Sequence, residues 1–306
     1  MLLKTRTFVL AGFLATVLVG CDRTVDYISP QSDTPPSEVF QSNEVTITEF
    51  QVVAEVGDTL ELEDSSNYEP TVLIIPENLC VYGNGEACLG EMDVQLIQAF
   101  EKSDMIFSDI PTTSKRMPLE SGGAFYLNIT QGGEQLYIRP DALFQIKAAI
   151  ARTPGDPQKM MFYRYDEVGN GVYDWRLQGP LSAVDETYYT LEFNELDRWM
   201  NIDYEIPTDT KELIINLLKD GVAVEDAQVF FSLNDFNSVG KAEYLPAVAG
   251  YQGWVPLGAS LQVVALKKEG EKWYWNKTQV APGGNNLDLT LTAIAYDDLV
   301  SALKSL

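Results

Sequence analysis

This 306-residue chain contains no histidine, so its cysteines and its many carboxylates are the first groups to weigh for chemistry. That absence excludes a Ser-His-Asp or Cys-His nucleophile pair, a His-ligated zinc and an imidazole general base. Paired carboxylates can hydrolyse glycosides without histidine. Among 45 Asp and Glu, however, no spacing selects a pair, so no catalytic residue is assigned and a non-enzymatic role is expected. The segment Asp166 to Asp174 has part of the spacing of a Ca²⁺ loop, but it has Val at the third ligand position and no Glu at the twelfth. It reads as an acidic hairpin turn, and no metal is expected there. Gly83-x-Gly85 lacks a third glycine and opens no helix. Gly240-Lys241 is followed by Ala242, with no upstream glycine at P-loop spacing, so no nucleotide cofactor is expected. With 21 Lys and Arg the formal charge is −24, which argues against nucleic acid.

Cys80 and Cys88 flank Val81-Tyr82-Gly83-Asn84-Gly85-Glu86-Ala87, which reads as strand, Gly-rich turn, strand. A hairpin would carry the two thiols to the Cα separation of about 5.5 Å that a disulfide needs. Outside the reducing cytoplasm a disulfide is the expected state. So short a loop contributes about 2.5 kcal/mol in the chain-entropy account. Seven intervening residues do not make the Cys-x-x-Cys spacing of a redox-active pair.

The third cysteine, Cys21, closes an address. Lys4 and Arg6 precede an apolar stretch from Phe8 to Val19. At 1.5 Å per residue this covers about 18 Å, short of a hydrocarbon core of about 30 Å. It ends in Leu18-Val19-Gly20-Cys21, which resembles the lipobox of bacterial lipoproteins. The resemblance implies cleavage before Cys21, a thioether-linked diacylglycerol on its thiol and an acylated amine. Two or three acyl chains hold a protein stably to a membrane where one does not. Residues 1–20 are thus expected to be a lipoprotein signal. Residues 21–43, polar and carrying Pro30, Pro35 and Pro36, are expected to form a flexible tether.

The elements beyond the tether read as strands. Phe50, Val52, Ala54 and Val56 alternate with polar neighbours, as do Met92, Val94, Leu96 and Phe125, Leu127, Ile129. Turns rich in Gly, Asn and Asp separate the runs. Short alternating strands with frequent turns predict an all-β chain of β-sandwich domains. Two in tandem are expected, over residues 44–182 and 183–306. The second includes Leu213 to Leu217, Val229 to Phe231, Leu261 to Leu266, Trp273 to Trp275 and Leu287 to Leu291. Trp273 and Trp275 share one strand face and are expected in the second core. Trp175 and Trp199 are expected as core anchors. Leu299, Leu303 and Leu306 fall on one face of a C-terminal helix, expected to lie as a lid on the second domain.

The order of segments from Pro70 to Trp175 carries a further resemblance. Thr71 to Asn78, Gly83-Asn84-Gly85, Gly90 to Val94, Pro111-Thr112-Thr113, Leu119 to Tyr126, Lys159 to Tyr163 and Trp175 together resemble a group of uncharacterised envelope lipoproteins of Bacteroidota. The resemblance implies a ZU5-like β-sandwich linked through Asp197 to Asp203 to a carboxypeptidase-regulatory or transthyretin-like β-domain. The expected function is a lipid-anchored, non-catalytic binding or scaffold protein of the cell envelope, at the outer membrane, with a protein or glycan partner or as an accessory subunit of an outer-membrane assembly. A carboxylate-based glycan hydrolase and a cation-stabilised adhesin are the alternatives.

Overall fold

The computed structural model describes residues 44–62, 68–153, 156–169, 172–280 and 283–306. Cys21, the signal and the tether lie outside the described residues. The described chain is all-β with two short helices. Its first unit is a sandwich of two sheets. One follows the order Thr46–Val53, Glu91–Ala99, Met117–Gln131, Arg198–Glu205, Met161–Gly169, Val172–Pro180. The other follows Ala183–Val184, Tyr188–Phe193, Phe144–Ala149, Thr71–Ile75, Asp58–Leu62. Most of the alternating apolar residues face inward, but the strand ends at Val53 and Val56 lies exposed in the turn that follows. Val52, Met92, Val94, Leu96, Phe125, Leu127 and Ile129 from the first sheet meet Leu73, Ile75, Phe144, Ile146 and Leu191 from the second.

The second unit is a single nine-stranded sheet curled around its own core of Leu213, Ile215, Val229, Phe231, Tyr251, Val263 and Leu289. Within it Asn286–Thr290 runs parallel to Thr210–Lys219, and the other pairings are antiparallel. Gly253 is what lets the sheet close over Phe231. A Cβ there would lie 1.9 Å from the Phe231 ring.

Strand pairing corrects the expected boundary. Tyr188–Phe193 pairs with Phe144–Ala149, and Arg198–Glu205 pairs with both Met117–Gln131 and Met161–Gly169. The chain therefore completes the first sandwich before residues 206–209 lead to Thr210–Lys219. The break signal at Gly179-Pro180 marks only the end of a hairpin arm.

A third apolar cluster joins the units. Ile97, Tyr126, Trp175 and Trp199 from the first meet Phe230, Val264, Leu266 and Trp273 from the second. Helix α1 (Lys102–Phe107) and helix α2 (Tyr296–Leu303) both pack into it. The strand periodicity around it gives no hint of α1. It follows Phe100 and Glu101, whose backbone N–H groups both donate to Asp104 Oδ2 at 3.0 Å, and it buries Met105, Ile106 and Phe107. The helix expected as a lid on the second domain instead seals the junction. Leu299 and Leu303 are fully buried there, and Lys304 reaches Glu44 at 3.3 Å. Trp273 and Trp275 do share a face, but that face looks into the junction, while Tyr274 packs on the second core. Polar ties flank the junction. Thr112 N–H donates to Val239 O at 2.6 Å, Val239 N–H to Thr112 Oγ1 at 2.7 Å, and Asn237 Nδ2 to Phe100 O at 2.7 Å.

Candidate functional site

Beside this junction the units leave an open groove of about 810 Å³. One wall comes from the hairpin of Met161–Gly169 and Val172–Pro180, which presents Tyr165 and Tyr173 stacked at 5.8 Å. Tyr165 is held from behind by Trp175 at 5.0 Å, and the indole of Trp175 donates to Pro111 O at 2.5 Å. The opposite wall comes from Val239–Leu245 and Gly250–Pro256, which present Tyr244 and Trp254. Tyr251 backs Tyr244 edge-on at 5.4 Å. Aromatic faces on both sides of a concave, partly polar site are what a small organic ligand requires.

A tight turn forms one rim. Ser114 pairs with Met117, so Lys115 and Arg116 are a two-residue hairpin loop, and both take positive φ, at 49° and 71°. Loops of this kind favour Asn-Gly, since side chains resist that conformation. Three contacts hold the turn. Lys115 N–H donates to Asp174 Oδ2 at 2.9 Å, Ser114 Oγ donates to Trp175 O at 2.7 Å, and the Arg116 guanidinium lies 4.5 Å over the Trp254 ring. Neither Lys115 nor Arg116 forms a salt bridge among the described residues.

The carboxylates of the groove are largely engaged. Asp109 holds Lys241 at 2.7 Å. Asp174 accepts from the backbone of Lys115 and Trp175, both at 2.9 Å. Burial nevertheless raises the Asp174 carboxyl above its ordinary range, against the pull of those two amides. Burial also raises the Tyr165 phenol, helped by Asp109 and Asp174. Two smaller concavities have a different character. One, of about 350 Å³, lies on a flat polar sheet face where Gln51 bonds Asp93 and Gln95 bonds Glu49, both at 3.0 Å. The other, of about 460 Å³, lies by Arg152 and Leu303.

The sites expected from sequence fare unevenly. Cys80 and Cys88 do face each other across a hairpin, with Cys88 N–H donating to Cys80 O at 3.3 Å. Both are buried, and burial together with Cys88 pushes the Cys80 thiol up to about 12. No bridge joins them in this structure, and Cys88 Sγ donates instead to Gln131 Oε1 at 3.3 Å. Trp175 and Trp199 are anchors, as expected, though of the junction rather than of either sandwich core. In the acidic hairpin Asp166 is taken by Arg164 at 2.7 Å and Arg198 at 3.2 Å. Among the described residues no group of three or more Cys, Asp or Glu is placed to hold a metal. The groove itself was not legible. Its walls come from segments some 90 residues apart. No family model, curated protein or solved structure matches the chain.

Proposed function

We propose that the protein is a lipid-anchored envelope protein that binds a saccharide, without turning it over, in the groove between its two β-units. One observation carries the reading: Tyr165 and Tyr173 from one unit and Tyr244 and Trp254 from the other face a single open groove. Sugar rings present C–H faces that stack on aromatic rings, and their hydroxyls pair with the carboxylates and amides at the edges. The Cys21 anchor would confine the groove near the membrane and raise its effective concentration for glycans there. Cys80 and Cys88 would form their bridge in the same oxidising compartment.

Affinity electrophoresis tests this. In gels cast with polysaccharide extracted from the source envelope, the chain should be retarded and Trp254→Ala should migrate as in an empty gel. Equal migration of both, with a stoichiometric protein recovered on mild-detergent pull-down from membranes, would replace the glycan by a protein partner. A hydrolase is the second reading, favoured by the raised carboxyl of Asp174. It requires that the bound glycan be shortened by the chain and left intact by Asp174→Asn.

A further inference from the structure

We infer that the groove selects saccharides bearing an acidic group, and that the Lys115–Arg116 turn is the element that reads it. The inference rests on the saccharide reading and names the ligand class. In a chain with 24 surplus negative charges, Lys115 and Arg116 are two adjacent cations at the rim of the groove. Both are exposed, and neither forms a salt bridge among the described residues. The third cation of the groove, Lys241, is already spent on Asp109 at 2.7 Å.

The turn is costly to build. Two side-chain-bearing residues sit at positive φ where Asn-Gly would serve the hairpin better. Such strain persists only where the surroundings hold it, and it gathers at ligand sites. The hold is specific here, through Asp174 on the Lys115 amide and Trp254 beneath the Arg116 guanidinium. The Arg116 guanidinium thus sits over one face of the Trp254 ring, at 4.5 Å from its centre. A carboxylate, sulfate or phosphate on a sugar lying in the groove beside Trp254 would meet the guanidinium in a charge-assisted, two-pronged contact. Glu225 and Glu243 line the groove as well and would repel an acid there, whereas Asp174, the carboxylate at the turn, is engaged by the backbone amides of Lys115 and Trp175. The acidic group therefore belongs at the Lys115–Arg116 end, with hydroxyls towards the glutamates.

The test is a glycan array probed with the full detergent-solubilised chain at low and high salt. It carries acid-bearing glycans, their methyl-esterified or desulfated forms, and neutral glycans. Acid-bearing glycans should dominate the bound set and lose signal when esterified or when salt is raised. Lys115→Gln with Arg116→Gln should weaken them about tenfold or more, the loss that follows from removing hydrogen bonds to a charged group. A second variant separates reading from folding. Lys115→Asn with Arg116→Gly gives the turn its preferred residues, so the melting temperature should rise by about 2 °C while acid-dependent binding is lost. Neutral glycans bound as well as acidic ones, or acidic binding untouched by both variants, would overturn acid selection and leave the saccharide groove standing. Binding of no glycan at all would overturn both.

Discussion

At the scale of single residues, the most heavily buried charge lies beneath the first sheet rather than in the groove. Asp203 has no exposed surface. Its Oδ2 accepts from Asn201 Nδ2 at 2.7 Å, and Asn201 Oδ1 accepts in turn from Ser121 Oγ at 2.9 Å. Glu120 is nearby and also buried. Burial pushes the Asp203 carboxyl well above its ordinary range; Ser121 lowers it and Glu120 raises it further. An acid whose folded value is raised binds its proton more tightly in the folded chain. Its contribution is therefore complete below the unfolded value of 3.8 and is lost as pH rises through the folded value. Asp203→Asn removes the ionisation and keeps one acceptor. Its melting temperature relative to the parent should thus climb steadily from pH 4 to pH 8, which a series of thermal melts would read. A constant difference across that range would contradict a raised Asp203. Nothing in the sequence marks this residue. Asp203 follows Ile202 in an ordinary strand pattern, and only the bulge opposite Gly122 and Gly123 brings Ser121 beside it.

At the scale of elements, periodicity and turn chemistry carried most of the reading. The strands at Glu91–Ala99 and Met117–Gln131 contain the alternating runs read from sequence, although Met117–Gln131 is buried on both faces for most of its length. The C-terminal helix was legible for the same reason, at a period near 3.6. Its partner was not. The stripe of Leu299 and Leu303 shows that something is covered, and only the tertiary structure shows that it is the junction. Truncating Leu303 to Ala should cost about 2–5 kcal/mol, the range for a fully buried leucine. Chemical denaturation would measure it. A loss below about 0.5 kcal/mol would mean that α2 is docked loosely. Helix α1 escaped notice because six residues are too few to show a helical period. Lys115–Arg116 escaped because Lys and Arg are not turn residues. The elements that position the groove are therefore the ones whose local chemistry is least typical of their conformation.

At the scale of the whole molecule, the two β-units behave as one body because their junction is a core in its own right. Trp175, Trp199, Phe230 and Leu266 are all essentially unexposed there. Two units that share a buried apolar cluster lose it together. Calorimetry of the chain should show one transition with matching calorimetric and van't Hoff enthalpies, and two resolved transitions would contradict a shared core. The same junction fixes the groove, since Tyr165 and Trp254 stand on different units and keep their spacing only while the units are locked. Alternating strands and frequent turns carried the all-β class, and two tandem units were expected. Their boundary was misplaced because Gly179-Pro180 looks like a linker and is a hairpin end. The most direct measurement of the central claim is hydrogen–deuterium exchange of the chain with and without polysaccharide from its own envelope. Added polysaccharide should protect residues 109–117, 161–168 and 239–254 and leave the polar face around Gln51, Asp93 and Gln95 unchanged. Protection at that polar face with none in the groove segments, or no protection anywhere, would contradict a binding site between the two units.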